Sequence, residues 1–427
     1  MGLATLLTVA ACTGGSPSHR ATIDVGPQSS RLTQPVSIRV SGLAPDSVCT
    51  VQLSSTDAHG TRWTSSARFR STRDGTIELD RARSLGGSYS GVNKMGLMET
   101  LAPRPHATGE GLYWWSGVQR FRLTVRPDGG EPVAQATFRR HVGPGVHSTT
   151  QAVAGEGFDG VFYRGPGGST GKRRPAILAF GGSEGGNSMG LAGNALAAAG
   201  YPTLTLAYFH APGLPEHLVK IPLEYFAKAS RWLAGQPGVD PHRIYILGVS
   251  RGSEAAQLVA VHYPKLVHGV VLGVPSGVVQ VGLTGGTGLS SHSAGVSAWS
   301  FHGKPVPYAV HVNEPHPTVA PRSVIPVERI PGPMFLVCGG SDQVWASCPF
   351  SRAIVERLTT HHDRFAHVLA AYPDAGHGVG SLVPYEPATA AADSVTAGRQ
   401  PDANQLALAK VWPRLIQFLH TTATHPR

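Results

Sequence analysis

Cysteine is scarce in this chain. Four occur among 427 residues, at positions 12, 49, 338 and 348, and none stands in the C-x-x-C spacing that zinc sites and dithiol redox motifs need. The twenty histidines form no H-E-x-x-H or similar group, so no metal and no other cofactor is implied. No run of about 18 apolar residues is present, which excludes an integral helical membrane protein. Charge is sparse too, at 15% of residues, yet 36 Lys and Arg stand against 26 Asp and Glu and leave a net charge of +10. That excess favours anionic partners. The longest basic block is only Lys172, Arg173 and Arg174, so nucleic acid is not among the expected partners. Gly (53) and Pro (34) make the chain turn-rich without reaching the composition of low-complexity disorder.

Residues 3–11, LATLLTVAA, form a short apolar run, and Val9, Ala10 and Ala11 precede Cys12. Small residues before a cysteine suit cleavage by a lipoprotein signal peptidase. Residues 1–12 are therefore expected to be a lipoprotein-type signal, with Cys12 lipidated and attaching the chain to a membrane, or the protein secreted. The first basic residue is Arg20, so the cationic start of such a signal would lie upstream of Met1; an accidental signal would leave the protein cytoplasmic. Residues 13–32, rich in Gly, Ser and Pro, read as a tether. In an oxidising compartment Cys338 and Cys348 are close enough in sequence to form a disulfide.

Short alternating segments at 36–40, 50–53, 67–69, 76–79, 121–125 and 134–138 are separated by turn signals. This period of two predicts an all-β, immunoglobulin-like sandwich over 33–145. From 150 to 427 the character changes. Strand-like runs at 176–180, 203–207, 244–247, 267–274 and 334–337 alternate with helical ones at 190–199, 223–234, 250–262, 351–359 and 405–419. Such alternation predicts an α/β fold, a mostly parallel sheet with helices on both faces. A Gly/Ser-rich stretch over 281–300 shows no periodicity.

Gly248, Val249, Ser250, Arg251 and Gly252 fit G-x-S-x-G between a strand and a helix. In that setting the glycines permit a sharp turn that presents the serine hydroxyl at the sheet edge. As an isolated pentapeptide it would better suit a helix N-cap; the strand before it and the helix after it favour the nucleophile. A nucleophilic hydroxyl needs a base, and the chain order serine, acid, histidine predicts an acid after a later strand and a histidine in a later loop. Asp342 and His377 meet both requirements, with Asp374 as the rival acid. The oxyanion hole is expected from the backbone amide of Arg251 and from the loop Gly181 to Gly186, through the amide of Ser183.

These residues lead to a family resemblance. SLGGSYSGVNKMGL (84–97), LTLAYF (204–209), IPLEYF (221–226), GVSRGSEAA, SDQVWAS (341–347) and DAGHG resemble the bile acid-CoA:amino acid N-acyltransferase and acyl-CoA thioesterase family over nearly all of the chain. The resemblance implies a thioesterase/transferase N-terminal sandwich, an α/β-hydrolase catalytic domain, and a triad at Ser250, Asp342 and His377. Transferase members use cysteine as nucleophile, so serine points to hydrolysis of an acyl-CoA or other acyl ester. An exported carboxylesterase or acyltransferase acting on envelope lipids is the alternative within enzymes, and a non-catalytic surface binding module the alternative outside them. Oligomeric state is not specified by the sequence.

Overall fold

The computed structural model describes residues 20–57, 59–103, 117–143, 146–166, 173–310, 313–386 and 403–423. Cys12 lies outside the described residues. Two sheets form the N-terminal part. The smaller joins Thr22–Gly26, Ser37–Ser41 and Ile77–Glu78; the larger runs in the order Ser29–Arg31, Ala134–His141, Val118–Pro127, Val48–Thr56, Arg62–Arg70, Gly86–Gly87. Burial alternates along the strands, and Val25, Ile38 and Val40 from one sheet share a core with Val51, Phe69 and Leu123 from the other. Alternating apolar positions thus close a sandwich by burying one face of each sheet.

Two strands, Thr22–Gly26 and Ser29–Arg31, lie within the segment expected as a tether. Ile23 and Val25 alternate with exposed residues there, a two-turn β signal masked by the surrounding Gly, Ser and Pro. Gly143 then brings the sandwich against the second part. A Cβ at that position would stand 2.5 Å from the Ala198 Cβ.

The second part is built on one eight-stranded sheet. Its strands are β1 (His147–Gln151), β2 (Asp159–Arg164), β3 (Arg174–Phe180), β4 (Thr203–Ala207), β5 (Val239–Val249), β6 (Gly269–Gly273), β7 (Met334–Gly339) and β8 (Val368–Tyr372). The spatial order is β1-β2-β4-β3-β5-β6-β7-β8, with β2 antiparallel to both neighbours and the pairs from β4 to β8 parallel. Strands buried on both faces read as continuous apolar runs, yet successive side chains divide between two cores. Ile177, Leu247 and Val271 belong to one; Leu178, Ile246 and Leu272 belong to the other.

Helices α1 (Gly190–Ala198) and α5 (Ala403–Ala423) cover the first face; α2 (Leu223–Ala234), α3 (Arg251–His262) and α4 (Ser347–Thr360) cover the second. This is the α/β-hydrolase arrangement. Sequence reading misses β1, β2 and β8, whose polar or half-buried residues weaken the apolar signal. It also misses structure in 281–300, where Val281–Thr284 pairs with His292–Ser297 and Trp299–Phe301 pairs with Ile221–Pro222. Cys338 at the end of β7 and Cys348 in α4 form a disulfide, with Cα atoms 5.0 Å apart.

Candidate active site

The residues singled out in the sequence gather beyond the C-terminal ends of β3, β5, β7 and β8, where open α/β sheets place their ligands. Ser250 turns the chain from β5 into α3 with φ +53° and ψ −122°, a conformation that costs a non-glycine residue about 1–3 kcal/mol. Its surroundings hold it there. The Ser250 amide donates to the Gly273 carbonyl at 2.8 Å, and its own carbonyl accepts from the Ser253 amide and hydroxyl at 2.9 and 2.6 Å. The flanking glycines permit close approach, since a Cβ on Gly248 would meet the Gly252 carbonyl oxygen at 2.3 Å and one on Gly252 the Gly181 oxygen at 2.2 Å.

His377 begins a short 3₁₀ turn after β8. Its Nε2 is 3.0 Å from Ser250 Oγ and its Nδ1 is 2.9 Å from Asp342 Oδ2. It is Asp342, not Asp374, that meets the ring. The other Asp342 oxygen accepts from the Val344 and Trp345 amides at 3.0 and 3.3 Å, and the side chain is 1% exposed. The loops carrying Asp342 and His377 touch because Gly339 and Gly340 lack side chains. A Cβ on Gly339 would stand 2.4 Å from the Ala375 oxygen. The Ser341 amide donates to Ala375 at 2.9 Å, and the Trp345 indole donates to the Val274 carbonyl at 3.0 Å with its ring edge-on to the imidazole.

Gly182 lies against the serine from the β3 side, where a Cβ would meet the Ser250 Cβ at 2.8 Å. Its amide donates to Glu184 Oε1 at 2.9 Å, so it is occupied. Among the described residues, neither the Ser183 nor the Arg251 amide meets an acceptor. Buried Tyr208, from the segment after β4, has its hydroxyl 2.6 Å from the Gly182 carbonyl oxygen and 3.0 Å from that of Gly181. Burial, with the charge of Glu184 adding to it, raises that hydroxyl well above its ordinary value, so it remains a donor.

Sequence reasoning used only the backbone of Arg251, but the side chain is buried as well. Its Nε lies 2.8 Å from Glu254 Oε1, while its terminal nitrogens donate to the Val281 and Gln280 carbonyls at 2.9 and 3.2 Å. Glu254 Oε2 accepts from the Gln280 amide at 3.0 Å and from the Trp299 indole at 2.8 Å. Burial raises the Glu254 carboxyl although Arg251 opposes it. This network ties 280–299 to the helix behind the serine. Its sequence trace is an oppositely charged pair three residues apart at the start of the helix. Among the described residues, no group of three His, Cys, Asp or Glu could hold a metal ion, and no helix is long and apolar enough to cross a membrane.

Comparison with known proteins identifies the family of the chain. Residues 33–151 match the acyl-CoA thioester hydrolase/BAAT N-terminal region, and residues 221–425 match the BAAT/acyl-CoA thioester hydrolase C-terminal model. The chain is 30% identical to the mitochondrial acyl-coenzyme A thioesterase 2 of Mus musculus, covering 94% of this chain and 89% of the mouse protein. It is 27% identical to acyl-coenzyme A amino acid N-acyltransferase 2 of Rattus norvegicus, covering 92% and 96% respectively. Among solved structures, MGS-M1, an α/β hydrolase from a deep-sea metagenome library, aligns with a TM-score of 0.44 at 18% identity over 66% of this chain and 99% of its own. The chain belongs to the acyl-CoA thioester hydrolase and bile acid-CoA:amino acid N-acyltransferase family.

Proposed function

We propose that this hydrolase cleaves acyl-CoA thioesters through an acyl-Ser250 intermediate. The observation that carries the reading is the continuous path from Ser250 Oγ through both ring nitrogens of His377 to Asp342, at 3.0 and 2.9 Å. His377 Nε2 takes the hydroxyl proton as Oγ attacks the thioester carbonyl. The carbonyl oxygen gains negative charge, which the Ser183 and Arg251 amides receive. Collapse breaks the C–S bond, and the thiolate leaves as thiol with the proton from His377. Water then attacks the acyl-serine ester and gives a proton to His377, which returns it to Oγ as the free acid departs. Asp342 orients the imidazole and stabilises its charged form.

Serine in place of cysteine favours hydrolysis over amide formation, because an oxygen ester is less reactive toward an amine than a thioester is. With long-chain acyl-CoA and excess glycine, the product is free acid. N-acylglycine as the main product would overturn the hydrolase reading.

The Cys338–Cys348 disulfide supports a second reading. Such bonds persist in oxidising compartments, so an exported esterase or acyltransferase acting on envelope lipids, anchored through a lipidated Cys12, would account for it. Parallel assays with acyl-CoA, p-nitrophenyl esters and glycerolipids, each with a Ser250→Ala control, separate the two. Brisk ester cleavage without thioester cleavage selects the second. Failure of a serine-directed phosphonate to label the protein would leave only a binding module.

A further inference from the structure

The larger sandwich sheet presents arginine on its outer face. In Val118–Pro127 the period of two turns Phe121, Leu123 and Val125 inward and Arg120, Arg122 and Arg126 outward. Arg62, Arg68 and Arg70 join them from the strand Arg62–Arg70, and Arg139 from Ala134–His141. The register sets Arg139 directly opposite Arg120, and Arg122 between Thr137 and Ser54. Arg68 pairs with Asp128 at 2.7 Å, Arg126 lies 3.8 Å from Glu131, and Arg70 donates to the Asp46 carbonyl at 2.8 Å. Among the described residues, Arg62, Arg120, Arg122 and Arg139 have no acidic partner.

These four arginines, with the Ser29, Ser54 and Thr137 hydroxyls among their neighbours, line a groove of about 1080 Å³. Asp57, the one carboxylate in the described lining, faces its own loop. It accepts from the His59 and Thr61 amides and from the Trp63 indole, each at 2.9 Å. On the opposite sheet the charges compensate one another, with Arg39 and Arg81 on Glu78 and Lys94 on Asp80. Four arginines without an acidic partner among the described residues thus converge on one groove.

Like charges directly opposite on neighbouring strands destabilise a sheet, and Arg120 and Arg139 hold that relationship. Guanidinium groups bind phosphate oxygens through paired N–H donors, and hydroxyls can add further donors. A single phosphate, at most a dianion near neutral pH, would leave about half of the charge of the four arginines uncompensated. The described lining presents no exposed aromatic ring for base stacking, unlike single-strand nucleic-acid sites. A flat bilayer would also not reach the floor of a concave groove. We propose that this groove binds a free ligand carrying two or more phosphate groups, at a site separate from Ser250.

Isothermal titration of the full chain with inorganic triphosphate and with ATP tests this. The wild-type protein is expected to bind both, more weakly as salt rises. Arg120→Gln/Arg139→Gln raises Kd about tenfold or more, while Arg68→Gln leaves it close to wild type. The double variant is expected to melt no lower than wild type, because it removes a like-charge pair across neighbouring strands, and to keep wild-type cleavage of simple esters. If it fails to fold, Arg122→Gln and Arg62→Gln singly carry the same expectation. Absence of binding by wild type, an unchanged Kd in the arginine variants, or binding to phosphatidylglycerol vesicles without binding to triphosphate overturns the proposal.

Discussion

The Tyr208 hydroxyl stands 2.6 Å from the carbonyl oxygen of Gly182, on the peptide whose nitrogen belongs to Ser183. A trans peptide holds its C=O and N–H on opposite sides, so a donor on that oxygen also sets the direction of the Ser183 amide. Tyr208 is thus a positioning residue for one half of the proposed oxyanion hole. Tyr208→Phe should lower kcat about tenfold to a hundredfold, less than loss of a direct oxyanion donor, with KM nearly unchanged. Equal changes in kcat and KM, or a change in thermal midpoint alone, would assign Tyr208 a purely structural role.

Asp342 and Asp374 make opposite predictions in steady-state kinetics. Asp342→Asn should lower kcat by about 10⁴, the effect of replacing a triad acid, since Asp342 meets Nδ1 at 2.9 Å. Asp374→Asn should change kcat by less than about tenfold. The reverse ranking would mean that the ring turns to the other carboxylate during turnover.

Ser250 holds φ +53°, which glycine adopts with little strain and alanine does not. Both Ser250→Gly and Ser250→Ala should abolish turnover, but Ser250→Gly should be the more stable by about 1 kcal/mol. Chemical denaturation of the two variants reads the difference directly. Equal stability would show that the turn carries no strain.

His141 gives the sandwich a pH dependence. Burial first, then the charges of Arg31 and Arg140, hold its pKa below the ordinary 6.5. Below that value the unfolded chain binds the proton more readily than the folded one, so stability is lost as pH falls through 6.5 toward the depressed folded value. Above it this contribution is complete. Melting midpoints measured from about pH 8 to about pH 5.5 should fall less steeply in His141→Gln than in wild type; parallel curves would remove His141 as the cause.

What the sequence determined by itself was the part of the protein written in neighbouring residues. A strand, a tight turn and a helix around Ser250 involve adjacent positions, so GVSRG in its flanks marks the turn without knowledge of anything distant. The continuous apolar runs of β3, β4, β5, β6 and β7 declare a buried parallel sheet for the same reason. Only the tertiary structure decided relationships that depend on separate segments meeting. Asp342 and Asp374 are both turn residues in sequence; the close contact allowed by Gly339 between the β7 and β8 loops puts one of them on His377. Tyr208 precedes Ser250 by 42 positions, and nothing local marks its hydroxyl as a donor to the Gly182 carbonyl. Trp299 lies in a stretch without periodicity, yet it reaches Glu254 because its indole has a buried carboxylate to satisfy. Strand register, likewise, sets Arg120 opposite Arg139, and register is fixed by which faces the sandwich buries, a property of the assembled sheets rather than of any one strand.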